Sequence, residues 1–410
     1  MRASVLCIDD DRLLRRKNLD PLARLPPFPS SKRPLRGSPI HPSFEQSMNI
    51  GPCYTSLVSS LPATTPFVGP EALERERGEA FRLRLGANES AFGISPRAAQ
   101  AMQAAIADIA CYGDPEAFDL RCALAKRHRV RLEEVLIGAG IDEMLGNVVR
   151  MLVERGTPVV TSLGAYPTFN YHVAGFGGLL EAVPYRNDRI DLEALLQRVR
   201  KTNAPLVYLA NPDNPMGTWH ERDALRQFIA ELPQNTLLVL DEAYIEFAPP
   251  SAFLPLDVED RRVIRMRTFS KAHGMAGARI GYAIADAGTI KAIGKIRNHF
   301  GINRIAQVGA LASLMDEDFV AGVASEVGKG RDEYHALARR LGLASIPSAA
   351  NFVAIDVGGG DLARSLLTRL AEHGVFVRMP GVAPLDRCIR ITVGTAPMRA
   401  LFAEIFERVL

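Results

Sequence analysis

The sequence predicts an α/β protein: a three-layer large domain around a mostly parallel sheet, followed by a small α+β domain. Three observations carry the prediction. Between Val135 and Ile284, short strand-like runs alternate with helical ones, the order that crossover units on a parallel sheet produce. Several of those strands are unbroken apolar runs, Leu237-Leu238-Val239-Leu240 among them, as strands covered on both faces require. Past Arg340 the order changes to a strand, a helix, two strands and a closing helix, which describes a smaller lobe.

Each element has its own signal. Ser95-Pro96 reads as an N-cap and first helical residue, opening a helix that runs to about Ala110. A second helix follows Tyr112-Gly113-Asp114-Pro115 and ends near His128. Strand and helix then alternate: Val135–Ile137, Asp142–Val153, Pro158–Ser162, Pro167–Ala174, Leu180–Val183, Asp191–Arg200, Leu206–Ala210, Glu221–Leu232 and Leu237–Leu240. Strands Val263–Thr268 and Ile280–Ile284 come next, and Ala287–Arg340 reads as helical. The tail gives strand Phe352–Asp356, a Gly358-Gly359-Gly360 break, helix Leu362–His373, strands Val375–Arg378 and Cys388–Val393, and helix Ala396–Val409.

These signals divide the chain into 48–90, joining the small domain; 91–300, the large domain; 301–340, interdomain helices; and 341–410, the small C-terminal domain. Residues 1–47 are rich in proline and show no sustained periodicity. They read as a disordered extension, or as an over-long start ahead of Met48.

Composition narrows the function. At 410 residues the chain exceeds one comfortable core, so two domains are expected. A net charge of +3 is too small to argue for nucleic acid or an acidic membrane surface. The five cysteines (7, 53, 111, 122 and 388) form no CxxC pair, which speaks against a disulfide scaffold or zinc site and for a reducing cytoplasm. No apolar run is long enough to span a membrane.

In an open α/β sheet, ligands gather at the carboxyl ends of strands, and four such ends are polar here. Gly138-Ala139-Gly140-Ile141-Asp142-Glu143 joins a strand to a helix, where glycines allow close approach and free N–H groups suit a phosphate. Many strand-to-helix turns look the same. Asn211-Pro212-Asp213-Asn214-Pro215-Met216-Gly217-Thr218 fixes a rigid loop in which Asn214 can donate to a ligand oxygen, and a plain turn has the same residues. Asp241-Glu242-Ala243-Tyr244 ends a buried strand, where an aspartate needs a cation or donors, or else caps the next turn. Ser270-Lys271 lies in a loop of small residues, with Arg279 eight positions on. A lysine enclosed there loses its proton readily and suits an imine with a carbonyl cofactor, while a surface lysine is the plainer alternative. Arg279 offers a fork for phosphate or carboxylate.

In this order and spacing, the Gly138 turn, Asn214, Asp241 with Tyr244, Lys271 and Arg279 resemble fold-type I pyridoxal-phosphate enzymes of the class I/II aminotransferase superfamily. Within it the likeness is to the histidinol-phosphate aminotransferase family, through Leu85-Gly86-Ala87-Asn88-Glu89-Ser90, Tyr112-Gly113-Asp114-Pro115, Asp241-Glu242-Ala243-Tyr244 and Arg390-Ile391-Thr392-Val393-Gly394-Thr395. It covers about residues 50–410 and is far more specific for the cofactor than for the substrate.

The resemblance implies that pyridoxal 5'-phosphate is the cofactor. Lys271 would hold it as an internal aldimine and later carry the proton. Asp241 would pair with the ring nitrogen, and Asn214 and Tyr244 would bond the 3' oxygen. The backbone N–H groups of Ile141 and Asp142, with Ser270 and Arg279, would hold the phosphate. Tyr166 would stack on the ring, with Phe169 as a competitor. Tyr112 would reach the phosphate of a neighbouring subunit, implying a homodimer with shared sites. Asn88, Asn214 and Arg390 would meet the substrate, Arg390 taking its anionic group. His273 and His172 are read as packing residues.

Three segments depart from the family pattern. Asp213-Asn214-Pro215-Met216-Gly217 stands where Asn-Asn-Pro-Thr-Gly is usual, Glu89-Ser90-Ala91-Phe92-Gly93 where Glu-Asn-Pro-Tyr-Gly is usual, and Tyr112-Gly113 where Tyr-Pro is usual. The expected activity is amino transfer to 2-oxoglutarate from L-histidinol phosphate or from an aromatic or other amino acid. A phosphothreonine-type decarboxylase on the same frame is a further alternative. A non-catalytic ligand-binding relative is the competing class. Such regulators carry a DNA-binding domain ahead of this fold, and residues 1–47 are too short and too aperiodic to form one.

Overall fold

The computed structural model describes residues 52–62 and 68–410. The extension expected over residues 1–47 lies outside them. Within the compact unit Tyr54–Leu410, the strands are β1 (Leu83–Arg84), β2 (Val135–Gly138), β3 (Pro158–Ser162), β4 (Leu179–Val183), β5 (Leu206–Ala210), β6 (Leu237–Asp241), β7 (Val263–Thr268), β8 (Gly281–Ile284), β9 (Ala344–Ile346), β10 (Phe352–Asp356), β11 (Val375–Phe376) and β12 (Cys388–Thr392).

Among the described residues, seven strands form the main sheet in the order β2-β8-β7-β6-β5-β3-β4. The pairings β4–β3, β3–β5, β5–β6 and β6–β7 are parallel, while β8 runs antiparallel to both of its neighbours. Two reversals restore direction, so the carboxyl ends of β2, β5, β6 and β7 share one edge. The register aligns Ala210 with Asp241 and Asp241 with Met266. It also aligns Thr268 and Gly138 with Gly281.

The long apolar runs are explained by helices on both faces. On β5, Leu206, Tyr208 and Ala210 face a core shared with helices Ile141–Leu152, Pro167–Gly175 and Ala287–Gly294. Val207 and Leu209 face the core under helices Leu192–Thr202 and Arg222–Glu231. Helix Ile141–Leu152 turns Met144, Leu145, Val148 and Val149 inward, all fully buried, a one-face helical spacing in which each side chain contributes about 1.5–3 kcal/mol of burial. Among the described strands, only the edge strand β4 leaves large apolar residues open, at Leu179 and Leu180.

The first helix ends as an α-helix at Ala104 and continues as a 3-10 turn over Ala105–Ala110, short of the expected single helix. The helical stretch from Ala287 divides into Ala287–Gly294, Arg304–Leu314 and Glu317–Arg340. The smaller lobe is the antiparallel sheet β12-β10-β9, while β1 pairs in parallel with β11 and ties the early chain to the late chain. Among the described residues, no helix is long and apolar enough to cross a membrane.

Candidate active site

The polar strand ends converge. Lys271 Nζ donates to the backbone oxygen of Asn88 at 2.9 Å. Asn88 Nδ2 donates to Tyr244 Oη at 2.9 Å, and Asn214 Nδ2 donates to the same oxygen at 3.4 Å. Arg390 Nη1 closes the chain by donating to Asn214 Oδ1 at 2.5 Å. One hydrogen-bonded path therefore runs from Lys271 to Arg390 and joins the loops after β5, β6 and β7 to β12 of the smaller lobe.

Local chemistry holds each member. Asn88 adopts a left-handed backbone (φ 55°), a conformation that asparagine tolerates better than most residues. Its N–H donates to Thr392 Oγ1 at 3.0 Å, and its Oδ1 accepts from that hydroxyl at 3.2 Å. With its side chain so engaged, Asn88 anchors its own loop to Thr392 and Tyr244 more than it faces outward. The loop before Lys271 is pinned by Ser270, whose N–H donates to Thr268 Oγ1 at 3.0 Å and whose Oγ accepts from it at 2.9 Å. Gly274 (φ 71°) is required where the chain turns back, since a Cβ there would lie 1.8 Å from the Gly93 carbonyl oxygen.

A second cluster lies at the N-terminus of helix Ile141–Leu152. Gly140 (φ 84°) opens it, and a Cβ there would come within 2.7 Å of Arg279 Nη2. Arg279 is itself left-handed (φ 55°), at a cost of order 1 kcal/mol for a non-glycine residue. Its guanidinium donates to the Ala276 oxygen at 2.9 Å and lies 3.4 Å from Asp142 Oδ2. Tyr166 donates to Asp142 Oδ1 at 2.8 Å. Phe169 is fully buried and stacks on Tyr208 with centroids 4.7 Å apart, so it lies in the core while Tyr166 reaches the polar cluster.

The charges are tuned by burial. Lys271 is pushed down to about 8, first by desolvation and then by the nearby Arg390 charge, so a sizeable fraction is neutral near physiological pH. Asp241 is pushed up to about 6, chiefly by burial. Its oxygens accept from Tyr208 Oη at 2.7 Å and from the Ala243 N–H at 2.9 Å. Among the described residues, no lysine or arginine side chain bonds it. Tyr244 is pushed up to about 12 by burial, and so keeps its proton.

Tyr208, Asn351 and Arg378 were not singled out by sequence reasoning. Tyr208 is the one polar-tipped residue in the otherwise aliphatic strand β5, and that tip was the available signal. Asn351 donates to the Asn88 oxygen at 3.1 Å from a loop with no motif. Arg378 faces Arg390 across an antiparallel bridge, and burial with the Arg390 charge pushes it down to about 10. Glu242 is buried with Arg265 and Arg267. His273 is buried, with Nδ1 2.8 Å from Ser313 Oγ and its ring against Phe269, a packing position. Tyr112 stands apart from all of these: it is 80% exposed, with its ring 4.8 Å from that of Phe300.

A lysine with a softened amine, a buried acid lacking an internal cation, and a helix N-terminus faced by an arginine make one combined site. It suits a phosphorylated, carbonyl-bearing cofactor with a basic ring nitrogen. This is the arrangement of a pyridoxal-phosphate enzyme of fold type I. The family model for "Aminotransferase class I and II" matches residues 82–406, and the chain belongs to that family. It is a pyridoxal-phosphate-dependent aminotransferase.

It is 34% identical over 345 residues to histidinol-phosphate aminotransferase 2 of Carboxydothermus hydrogenoformans, covering 83% of this chain and 94% of that one. Among solved structures, it resembles the histidinol-phosphate aminotransferase of Sinorhizobium meliloti in complex with pyridoxal-5'-phosphate. There the TM-score is 0.84 at 50% identity, over 89% of this chain and 100% of that one. An aspartate aminotransferase variant from Thermus thermophilus follows the same fold at TM-score 0.75 and 25% identity, over 88% of this chain and 100% of that one.

Proposed function

We propose that the chain moves the amino group of L-histidinol phosphate to 2-oxoglutarate, with Lys271 as the residue that holds the cofactor and carries the proton. The observation that carries the substrate reading is Arg390, half-buried and bonded to Asn214. A guanidinium at the end of the Lys271–Asn88–Tyr244–Asn214 path suits an anion held a fixed distance from the reacting amine. The names of the relatives supply the particular anion.

Bound pyridoxal phosphate supplies an aldehyde that captures amines and a ring that takes up electron density. The protein's own groups do the rest. Ile141 and Asp142 present N–H groups at a helix N-terminus, and Ser270 and Arg279 complete a phosphate cradle. Asp241, a buried carboxylate, would face the ring nitrogen. Tyr244 and Asn214 are placed to donate to the ring oxygen, and Tyr166 to lie on the ring face. Lys271, at about 8, takes up and returns a proton near neutral pH.

The same reading makes the protein a homodimer, because Tyr112 is exposed and, among the described residues, serves no group of its own chain's site. It also places the protein in the cytoplasm, where its scattered cysteines stay reduced. An aromatic amino acid is the second reading, since Arg390 serves a carboxylate as well as a phosphate.

Single-donor half-reactions test the proposal. The loaded protein is mixed, without an oxo acid, with L-histidinol phosphate, L-phenylalanine, L-tyrosine, L-glutamate or L-phosphothreonine, and the cofactor absorbance is followed. Conversion at low histidinol phosphate is expected, and 2-oxoglutarate should reverse it. Conversion by the aromatic amino acids alone would replace the substrate assignment, and carbon dioxide release from phosphothreonine would replace the reaction.

A further inference from the structure

We propose that Tyr208 is a positioning residue for Asp241: its hydroxyl, 2.7 Å from Asp241 Oδ2, aims the carboxylate at the cofactor's ring nitrogen and keeps it ionised. The inference rests on the reading of Asp241 as the acid that meets that nitrogen.

Three observations support it. Tyr208 and Asp241 lie on adjacent parallel strands, where the register pairs Tyr208 with Val239 and Ala210 with Asp241. The hydroxyl therefore reaches across and forward to the strand end. The ring cannot turn away, because it is 1% exposed and stacked on Phe169 at an interplanar angle of 18°. The hydroxyl is also a committed donor: burial and the Asp241 charge raise its pKa far above the ordinary tyrosine value, so the proton stays on Tyr208. Among the described residues, the Asp241 carboxylate otherwise accepts only from the Ala243 N–H, on its other oxygen. Without Tyr208, the oxygen Oδ2 would have no protein donor among the described residues, and burial would favour a neutral acid that cannot pair with a pyridinium.

The test uses the full-length cofactor-free protein and two ligands. One is pyridoxal phosphate; the other is its analogue with C–H in place of the ring nitrogen. Calorimetric titration gives Kd for each at pH 6, 7 and 8. Tyr208→Phe keeps the ring and its stack. It is expected to weaken pyridoxal phosphate about tenfold, the effect of one hydrogen bond to a charged group, and to leave the analogue within about twofold. The loss should deepen toward pH 6, as Asp241 takes a proton at higher pH in the variant. Phe169→Leu, which loosens the ring without touching its hydroxyl, should give a smaller loss of the same selectivity.

In an Asp241→Asn background, Tyr208→Phe should add no selectivity. Equal weakening of both ligands would mean a packing role and overturn the proposal, as would no weakening of either. If the unmodified protein binds both ligands alike, the reading of Asp241 falls, and the role of Tyr208 falls with it.

Discussion

Asp241 and Glu242 are neighbours in sequence, both nearly fully buried, and opposite in character. Asp241 lies on the face of the sheet that carries Tyr208 and Met266. Among the described residues it has two neutral donors and no bonded cation, and burial lifts it to about 6. Glu242 turns to the other face, where Arg265 donates to both its oxygens at 2.5 and 3.1 Å and Arg267 donates at 2.9 Å. Burial opposes its charge too, but the two guanidiniums win and hold it below the ordinary glutamate value. The first acid lacks what the second already has. A buried acid compensated within the chain belongs to the fold, whereas one left without a cation is arranged for a ligand that brings one.

Substitutions can break or sharpen this contrast. The largest expected effect is at the residue the site converges on. Lys271→Ala should cut turnover at least about a thousandfold and remove the visible absorbance of bound cofactor, read by steady-state kinetics and a spectrum. Full transamination by that variant would end the account.

Glu242→Gln comes next. It leaves two buried arginines without their acid and should cost about 3–5 kcal/mol of stability at pH 7 by denaturant titration. Because the Glu242 pKa is depressed on folding, its stabilisation is present above the ordinary value of 4.5 and fades as pH falls through the folded value. The variant and the parent should therefore converge in acid.

Asp241→Asn should go the other way in the cofactor-free protein. A carboxyl raised from 3.8 to about 6 costs stability as pH climbs through that interval, and the full cost is present above it. Removing the charge should stabilise the cofactor-free protein by about 1–3 kcal/mol at pH 8 and hardly at all at pH 4. The same variant should bind pyridoxal phosphate more weakly. A destabilised Asp241→Asn at pH 8 would erase the distinction between the two acids.

The smallest effect is on Lys271. Arg390→Gln removes a nearby positive charge, so the Lys271 amine should titrate higher than about 8, nearer its ordinary value. The pH dependence of cofactor capture by the cofactor-free protein reports it.

How much of this was legible depended on where each partner came from. The strand ends were legible, because aliphatic runs stopping at Asp241 or before Asn211-Pro212 leave few other readings. Lys271 and Arg279 were legible as a pair through the small residues between them. Along β7, apolar residues alternate with arginines. Arg265 is nonetheless buried and Arg267 largely so, because Glu242 arrives from β6, and no periodicity within β7 reports a partner on another strand. Tyr208 was hidden for the same reason: within β5 it passes as one more core residue, and only the register beside β6 gives its hydroxyl a purpose. β1 and β9 are two and three residues long, too short for any alternation to appear. Asn351 meets the site through Asn88, 263 residues away in the chain, and contacts of that kind leave no local pattern.

The most direct test is the titration of Asp241 itself, by carbon-13 NMR of aspartate carboxyls, with Asp241→Asn used to assign the signal. In the cofactor-free protein the carboxyl should titrate near 6, and on loading with pyridoxal phosphate the midpoint should fall well below that. A midpoint at or below the ordinary 3.8 before loading, or one that loading leaves unmoved, would contradict the claim that this acid is held ready for a cationic partner.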